Sequence, residues 1–213
     1  MTGATDTRGL AVRGLRVERG DRVLFSGLAF DAPPGTLVHL AGANGSGKTT
    51  LMKTLAGLVS ADAGSVTWHG APLRDSRAFS AALNYVGHLP GLNAELTPAE
   101  NLAFIAALSA APRRTDVRTA LAALDCGLFA DRPVRYLSAG QRQRVALARL
   151  VLFAAEVWML DEPFTALDVT TRGLVESLID RHLDEGGIVL IATHQSFASR
   201  HPIRAVDVAH RRR

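Results

Sequence analysis

Cysteine is almost missing from this chain of 213 residues, where Cys126 stands alone. One thiol excludes an internal disulfide and a cysteine-cluster zinc site, and it fits a reducing compartment. A strong charge of either sign is missing too: 24 basic against 20 acidic residues leave only +4. The pI of about 10.0 reflects arginine in place of lysine more than a basic excess. Nucleic-acid binding modules concentrate positive charge on one face or stripe. Here the dense run is His210-Arg211-Arg212-Arg213, which reads as a solvated tail, so no nucleic-acid partner is expected. Long apolar runs are also absent. The nearly uncharged stretch from Leu102 to Ala111 falls well short of the ~20 residues that span a bilayer. Met1 to Gly9 carries Asp6 and Arg8 and has no apolar signal region. The expectation is a chain that stays where it is made and meets a membrane only peripherally. No internal repeat, low-complexity segment or long linker divides it.

What is present is ordinary globular material, with 47% hydrophobic and 21% charged residues, enough for the core of one domain. The first 35 residues read as short strands (Leu10–Val17, Val23–Phe25, Leu28–Phe30) punctuated by Gly14, Gly20 and Gly27, ahead of a Pro33-Pro34-Gly35 turn. A strand over Thr36–Ala41, a helix over Lys48–Leu58 and a strand over Ser65–Trp68 follow. Thr97-Pro98-Ala99-Glu100 is a capping box with proline at the first helical position, opening a helix to about Ala110. Helical patterns over Asp116–Leu124 and Ser138–Ala154 make residues 90–150 a helical subdomain inserted in an α/β core. That core resumes with a strand over Val157–Leu160, a helix over Thr171–Glu185 and a strand over Ile188–Thr193. Strands alternating with helices predict a largely parallel sheet with its ligands at the carboxyl strand ends.

Three segments carry chemistry. Gly42-Ala43-Asn44-Gly45-Ser46-Gly47-Lys48-Thr49, continued by Thr50, matches the phosphate-binding loop pattern between a predicted strand and a predicted helix. Its glycines let successive backbone N–H groups point at phosphate oxygens, and the helix N-terminus adds positive potential. Lys48 is expected on the β- and γ-phosphates and the Thr49 hydroxyl on magnesium. Glu156-Val157-Trp158-Met159-Leu160-Asp161-Glu162 is an apolar strand ending in two acids. Asp161 suits the magnesium shell, and Glu162 is placed to orient or deprotonate an attacking water. Leu137-Ser138-Ala139-Gly140-Gln141 opens a long helix as a second small-residue anion site. One chain hardly needs two phosphate sites for one nucleotide, so the second points to the nucleotide of a partner chain.

Together with Ala166-Leu167-Asp168 and Thr193-His194, these motifs stand in the order and spacing of ATP-binding-cassette ATPases, which residues 10–208 resemble. The resemblance implies a phosphate-loop NTPase cassette with a mixed β-sheet core and an inserted helical signature subdomain, one ATP-binding domain over 1–213. It further implies two cassettes facing head to tail, with Ser138, Gly140 and Gln141 reaching the partner's ATP. Asp168 would lie in the loop crossing between subunits, and His194 would contact the γ-phosphate. The chain departs from the family at two positions. Arg19 stands where an aromatic residue usually stacks on adenine; a guanidinium can stack as well. His88 stands where a glutamine normally touches magnesium and senses the transporter, and the resemblance implies that His88 takes over that role at the metal, beside Thr49 and Asp161.

Gly87-His88-Leu89-Pro90-Gly91, LSAGQ in place of the commoner double-glycine form, WMLDEPFTALD and ATHQ are similar to the CcmA subfamily. That resemblance implies an ATPase using ATP and Mg2+ in cytochrome c biogenesis, with haem as cargo. Its partners would be a second copy of itself, an integral CcmB-like membrane subunit and other cytochrome c maturation proteins. It would sit peripherally on the cytoplasmic face of the inner membrane. The alternative is an ATP-binding subunit for another substrate, such as a lipid or drug. Repair or translation cassettes carry two cassettes per chain or a long coiled-coil insertion, which this length does not hold. Phosphate-loop kinases and GTPases have no use for LSAGQ or His194, and no Asn-Lys-x-Asp guanine-reading motif occurs.

Overall fold

A computed structural model describes residues 8–73 and 76–208; the arginine-rich terminal run lies outside them. The chain opens with three strands, β1 (Leu10–Arg19), β2 (Arg22–Ala32) and β3 (Leu37–Ala41), followed by helix α1 (Lys48–Leu55). Strands β4 (Ala63–Trp68) and β5 (Ala71–Pro72), helix α2 (Arg77–Ala82) and strand β6 (Leu83–Val86) come next. The middle is helical: α3 (Pro98–Leu108), α4 (Val117–Ala122), α5 (Ala139–Leu147) and α6 (Arg149–Leu152), with 3₁₀ turns at Gly127–Phe129 and Val134–Tyr136. Strand β7 (Val157–Asp161), helix α7 (Val169–Asp184) and strands β8 (Ile188–Ala192) and β9 (Ile203–Asp207) follow.

The strands form two sheets. The antiparallel one runs β2-β1-β4-β5 and the parallel one β6-β7-β8-β3-β9. Strands β7 and β8 are buried along their whole length, as strands covered on both faces must be, and so read as unbroken apolar runs. Their alternate residues feed two cores. Val157, Met159, Ile188 and Leu190 pack with α1 and the antiparallel sheet, while Trp158, Leu160, Val189 and Ile191 pack with α7 and the middle helices.

Several elements differ from the sequence reading for identifiable reasons. The two short strands read over residues 23–30 are one strand. Opposite β1, Leu28 pairs with Leu15 and Phe25 with Val17, leaving one extra residue in a bulge where Gly27 takes φ 70°. Gly14 (φ 58°) makes the matching bulge in β1. The helix expected over 138–154 is interrupted at Ala148 and ends at Leu152, because Phe153 leaves it to bridge to Arg113. Strands β6 and β9 and helix α2 had no strong local signal. β6 is a short run containing Asn84, and β9 is an edge strand with four of its five residues exposed.

Candidate functional site

Parallel pairing brings the carboxyl ends of β3, β6, β7 and β8 to one edge of the sheet. There the segments leaving those strands meet around a cleft of about 320 Å³. Leu24, Asn44, Gly45, Gly47, Lys48, Thr49, Thr50, His88, Asp161, Glu162 and His194 line it.

The loop after β3 gains its shape from glycine. Gly45 (φ 75°) and Gly47 (φ 102°) occupy left-handed conformations that L side chains avoid, and Gly47 leads directly into α1. Lys48 is largely buried. Its Nζ donates to the carbonyls of Gly42 (2.7 Å) and Ala43 (3.1 Å) and lies 3.0 Å from His194 Nε2. An ammonium only donates, so in this contact the imidazole nitrogen is the acceptor. The Ser46 hydroxyl oxygen is buried within the loop without a hydrogen-bond partner.

Thr49, one residue into α1, donates its hydroxyl to Asp161 Oδ2 at 2.8 Å. Asp161 ends β7 and is buried. Burial holds its carboxyl above the usual range, against the Thr49 hydrogen bond and the charges of His88 and Lys48. Burial and the nearby Asp161 charge also push the Tyr85 phenol up to about 12. Glu162 turns the chain out of β7 with φ 52°, a conformation that costs a non-glycine residue about 1–2 kcal/mol. It is held by its own N–H, which donates to the Ala192 carbonyl at 2.7 Å. Glu162 Oε2 accepts from the Thr193 hydroxyl (3.1 Å) and the His194 N–H (3.4 Å), and Oε1 lies 3.9 Å from the His194 ring.

The loop residues 42–50, His88, Asp161, Glu162 and His194 are thus together. Ser138, Gly140, Gln141, Asp168 and Arg19 are not at the cleft. Ser138 caps α5 and exchanges hydrogen bonds with Gln141 in a capping box, leaving Ser138 exposed. Asp168 caps α7 and pairs with Arg144 at 2.6 Å. Arg19 sits at the β1–β2 hairpin and donates to the neighbouring Glu18 carbonyl. Arg22, across that hairpin, reaches the loop instead, donating to the Gly45 carbonyl at 3.4 Å. Arg22, Leu24 and Thr193 had no assigned role in the sequence reading. The Thr193–Glu162 contact joins segments far apart in the chain, which no local pattern encodes.

Comparison with known proteins places the chain in a family. The ABC transporter family model matches residues 25–165, from β2 through the loop after Glu162. This chain belongs to the ABC transporter family, in its CcmA branch. The Methylococcus capsulatus protein named cytochrome c biogenesis ATP-binding export protein CcmA is 45% identical, over 94% of this chain and 98% of its own length. The Escherichia coli O157:H7 protein of the same name is 47% identical over 87% of this chain and 89% of its own. Among solved structures, an ABC transporter ATP-binding protein from Pyrococcus furiosus superposes with a TM-score of 0.77 at 24% identity, covering 92% of this chain and 96% of that one. Clostridium perfringens cbiO1, described as part of the cbiONQ transporter complex, gives a TM-score of 0.69 at 26% identity, over 87% and 78% of the two chains. The fold is that of an ABC cassette, and the chain is a nucleotide-binding ATPase of this type.

Proposed function

We propose that ATP binds in the cleft with its phosphates on the amides of residues 42–50 and on Lys48, and that Glu162 and His194 direct its hydrolysis. The observation that carries this reading is the convergence of Lys48, the Thr49–Asp161 pair, Glu162 and His194 on one cleft. In this reading Lys48 leaves the Gly42 and Ala43 carbonyls for the phosphates, and the partnerless Ser46 hydroxyl gains an acceptor. Glu162 orients the attacking water and takes its proton as the water oxygen bonds to the γ-phosphorus and the β–γ bridge breaks. His194, swung off Lys48, turns its ring N–H, rather than the nitrogen that accepted from Lys48, to the γ-phosphate.

A divalent cation fits these residues. The buried Asp161 carboxylate and the adjacent Thr49 hydroxyl offer two hard oxygens of the kind that would share such an ion with phosphate oxygens and water. Among the described residues no group of three or more His, Cys, Asp or Glu could hold a metal by itself. Thr49 and Asp161 would hold Mg2+, which neutralises the β- and γ-phosphate charge when bound. Magnesium prefers oxygen to imidazole, so His88 would act on its outer shell.

The whole chain is proposed as one ATP-binding domain, residues 1–213, with residues 90–150 as its helical subdomain. Exposed Ser138, with Gly140 and Gln141, would close on the ATP of a second copy, and Asp168 would flank the crossing between subunits. Relatives named for cytochrome c biogenesis export support a place in an export complex of that process; the motif resemblance adds an integral CcmB-like membrane subunit, other maturation proteins and haem as cargo. No helix among the described residues is long and apolar enough to cross a membrane. As the ATP-binding subunit of such a complex, the chain would sit peripherally on the cytoplasmic face of the inner membrane, held by its partner.

Lys48→Ala tests the site. Losing charge-assisted bonds worth about 1.5–3 kcal/mol each should weaken ATP binding by at least about 10–100-fold, with an unchanged circular dichroism spectrum. Wild-type affinity in a natively folded variant rules this site out.

A further inference from the structure

We infer that His39 is a positioning residue for the hydrolytic centre and acts on Glu162 through one peptide unit. His39 lies at the middle of β3, in register with Ile191 of β8 and Ala205 of β9, where its strand neighbours Val38 and Leu40 are buried and apolar. A polar ring there needs a partner to offset its desolvation. The partner is the Thr193 carbonyl, 3.1 Å from His39 Nε2. A carbonyl only accepts, so Nε2 carries the proton.

That carbonyl and the His194 N–H belong to the same peptide plane and point in opposite directions across it. The N–H faces Glu162 Oε2, which also accepts from the Thr193 hydroxyl. The series is therefore His39 N–H to Thr193 C=O, then His194 N–H to the Glu162 carboxylate. Each hydrogen bond polarises the next, and the peptide cannot rotate without breaking both ends. The same peptide sets the starting direction of the His194 side chain toward Lys48.

The surroundings keep the ring in place. Phe197 meets His39 edge-on (5.8 Å between centroids, 81°) and lies 5.7 Å from Phe164, two residues past Glu162. Arg172 covers Phe164 and donates to Gln195, whose N–H donates to the Thr193 hydroxyl at 3.1 Å. The loop after β8 is thus tied to the segment after β7, with His39 holding it from the sheet.

The inference rests on the assignment of Glu162 and His194 above, and the experiment separates the two. ATP turnover is measured on the full chain assembled with its membrane subunit, for His39→Leu, His39→Asn, His39→Gln, Glu162→Gln and the His39→Leu/Glu162→Gln pair. Leu removes the donor, Asn shortens its reach, and Gln carries an amide N–H close to the original position. Losing this oriented hydrogen bond should lower kcat about tenfold in His39→Leu and His39→Asn, with KM for ATP within about twofold. His39→Gln should recover at least about half of wild-type kcat, and the double variant should be little worse than Glu162→Gln alone. If His39→Leu does not fold, His39→Asn stands in for it. Wild-type kcat in the Leu or Asn variant, an equal defect in Gln, or a change in KM alone overturns the role of His39. Near-normal turnover in Glu162→Gln overturns instead the assignment on which it rests.

Discussion

His182 shows how one side chain can couple stability to pH without touching the cleft. It is buried on α7, stacked on Trp158 (3.9 Å between centroids, 4° between planes), with its Nε2 3.2 Å from the Glu156 carbonyl. Burial depresses its pKa from 6.5 to about 4. The folded state keeps the ring neutral while the unfolded chain takes up a proton below about 6.5. Stability is therefore full above that pH and falls as pH drops toward 4, by up to about 3 kcal/mol from this group. Urea midpoints between pH 7 and 4.5 should fall more steeply for the native chain than for His182→Phe; parallel curves would contradict this. His88 is a residue-scale case at the cleft itself, beside Asp161. If it acts on the outer shell of the metal, His88→Ala should lower turnover about 10–100-fold while ATP affinity changes little. Unchanged ATPase activity would make His88 a loop residue without a catalytic part.

At the scale of elements, α5 holds the segment that follows Glu162. Gln143 donates to the Pro163 carbonyl (3.0 Å), Arg144 pairs with Asp168, and Gly140 lies against Ala166, itself left-handed at φ 61°. These three contacts recur at the three- and four-residue spacing of one helix face. A Cβ on Gly140 would meet the Ala166 carbonyl oxygen at 2.5 Å, backbone that cannot swing aside. Gly140→Ala should cost about 1–3 kcal/mol. Gly173 in α7 has open space around its Cα, so Gly173→Ala should gain about 0.8–1 kcal/mol from helix propensity. Opposite shifts in the denaturation midpoint would check the pair. The capping box at Thr97 could be read locally, since it closes within four residues. The β1–β2 bulges could not, because a glycine in a strand signals a bulge or a break equally well until its partner strand is known.

For the molecule as a whole, the arrangement of strands has the largest functional effect. Residues 42–50, His88, Asp161 and His194 leave four different parallel strands whose carboxyl ends share one edge. The signature residues Ser138, Gly140 and Gln141 lie off that edge, and Val169, beside Asp168, is 87% exposed. If a second copy covers these residues, slowing hydrolysis should trap the pair. Glu162→Gln should lower turnover ~10²–10⁴-fold while keeping ATP bound, and should convert monomer to an ATP-dependent dimer. Adding Ser138→Arg should prevent that dimer. Light scattering after gel filtration, with and without ATP, reads both outcomes, on the isolated chain and on the complex with its membrane subunit. An oligomeric state indifferent to ATP in both would contradict the pairing.

The sequence by itself determined the glycine-rich loop ahead of α1, the strand that delivers Asp161 and Glu162, and the apolar runs of β7 and β8. Each of these depends on residues a few positions apart, where backbone sterics, capping and burial act directly. Only the tertiary structure decided that Arg22 rather than Arg19 reaches the loop. It also decided that β6 is a strand, through its pairing with β7, and that Thr193 and His39 stand behind Glu162. Those relations follow from strand register and from which chain segments share a sheet edge. Parallel strands come into register through crossovers that pass through the rest of the molecule, so no short stretch of residues contains the pairing.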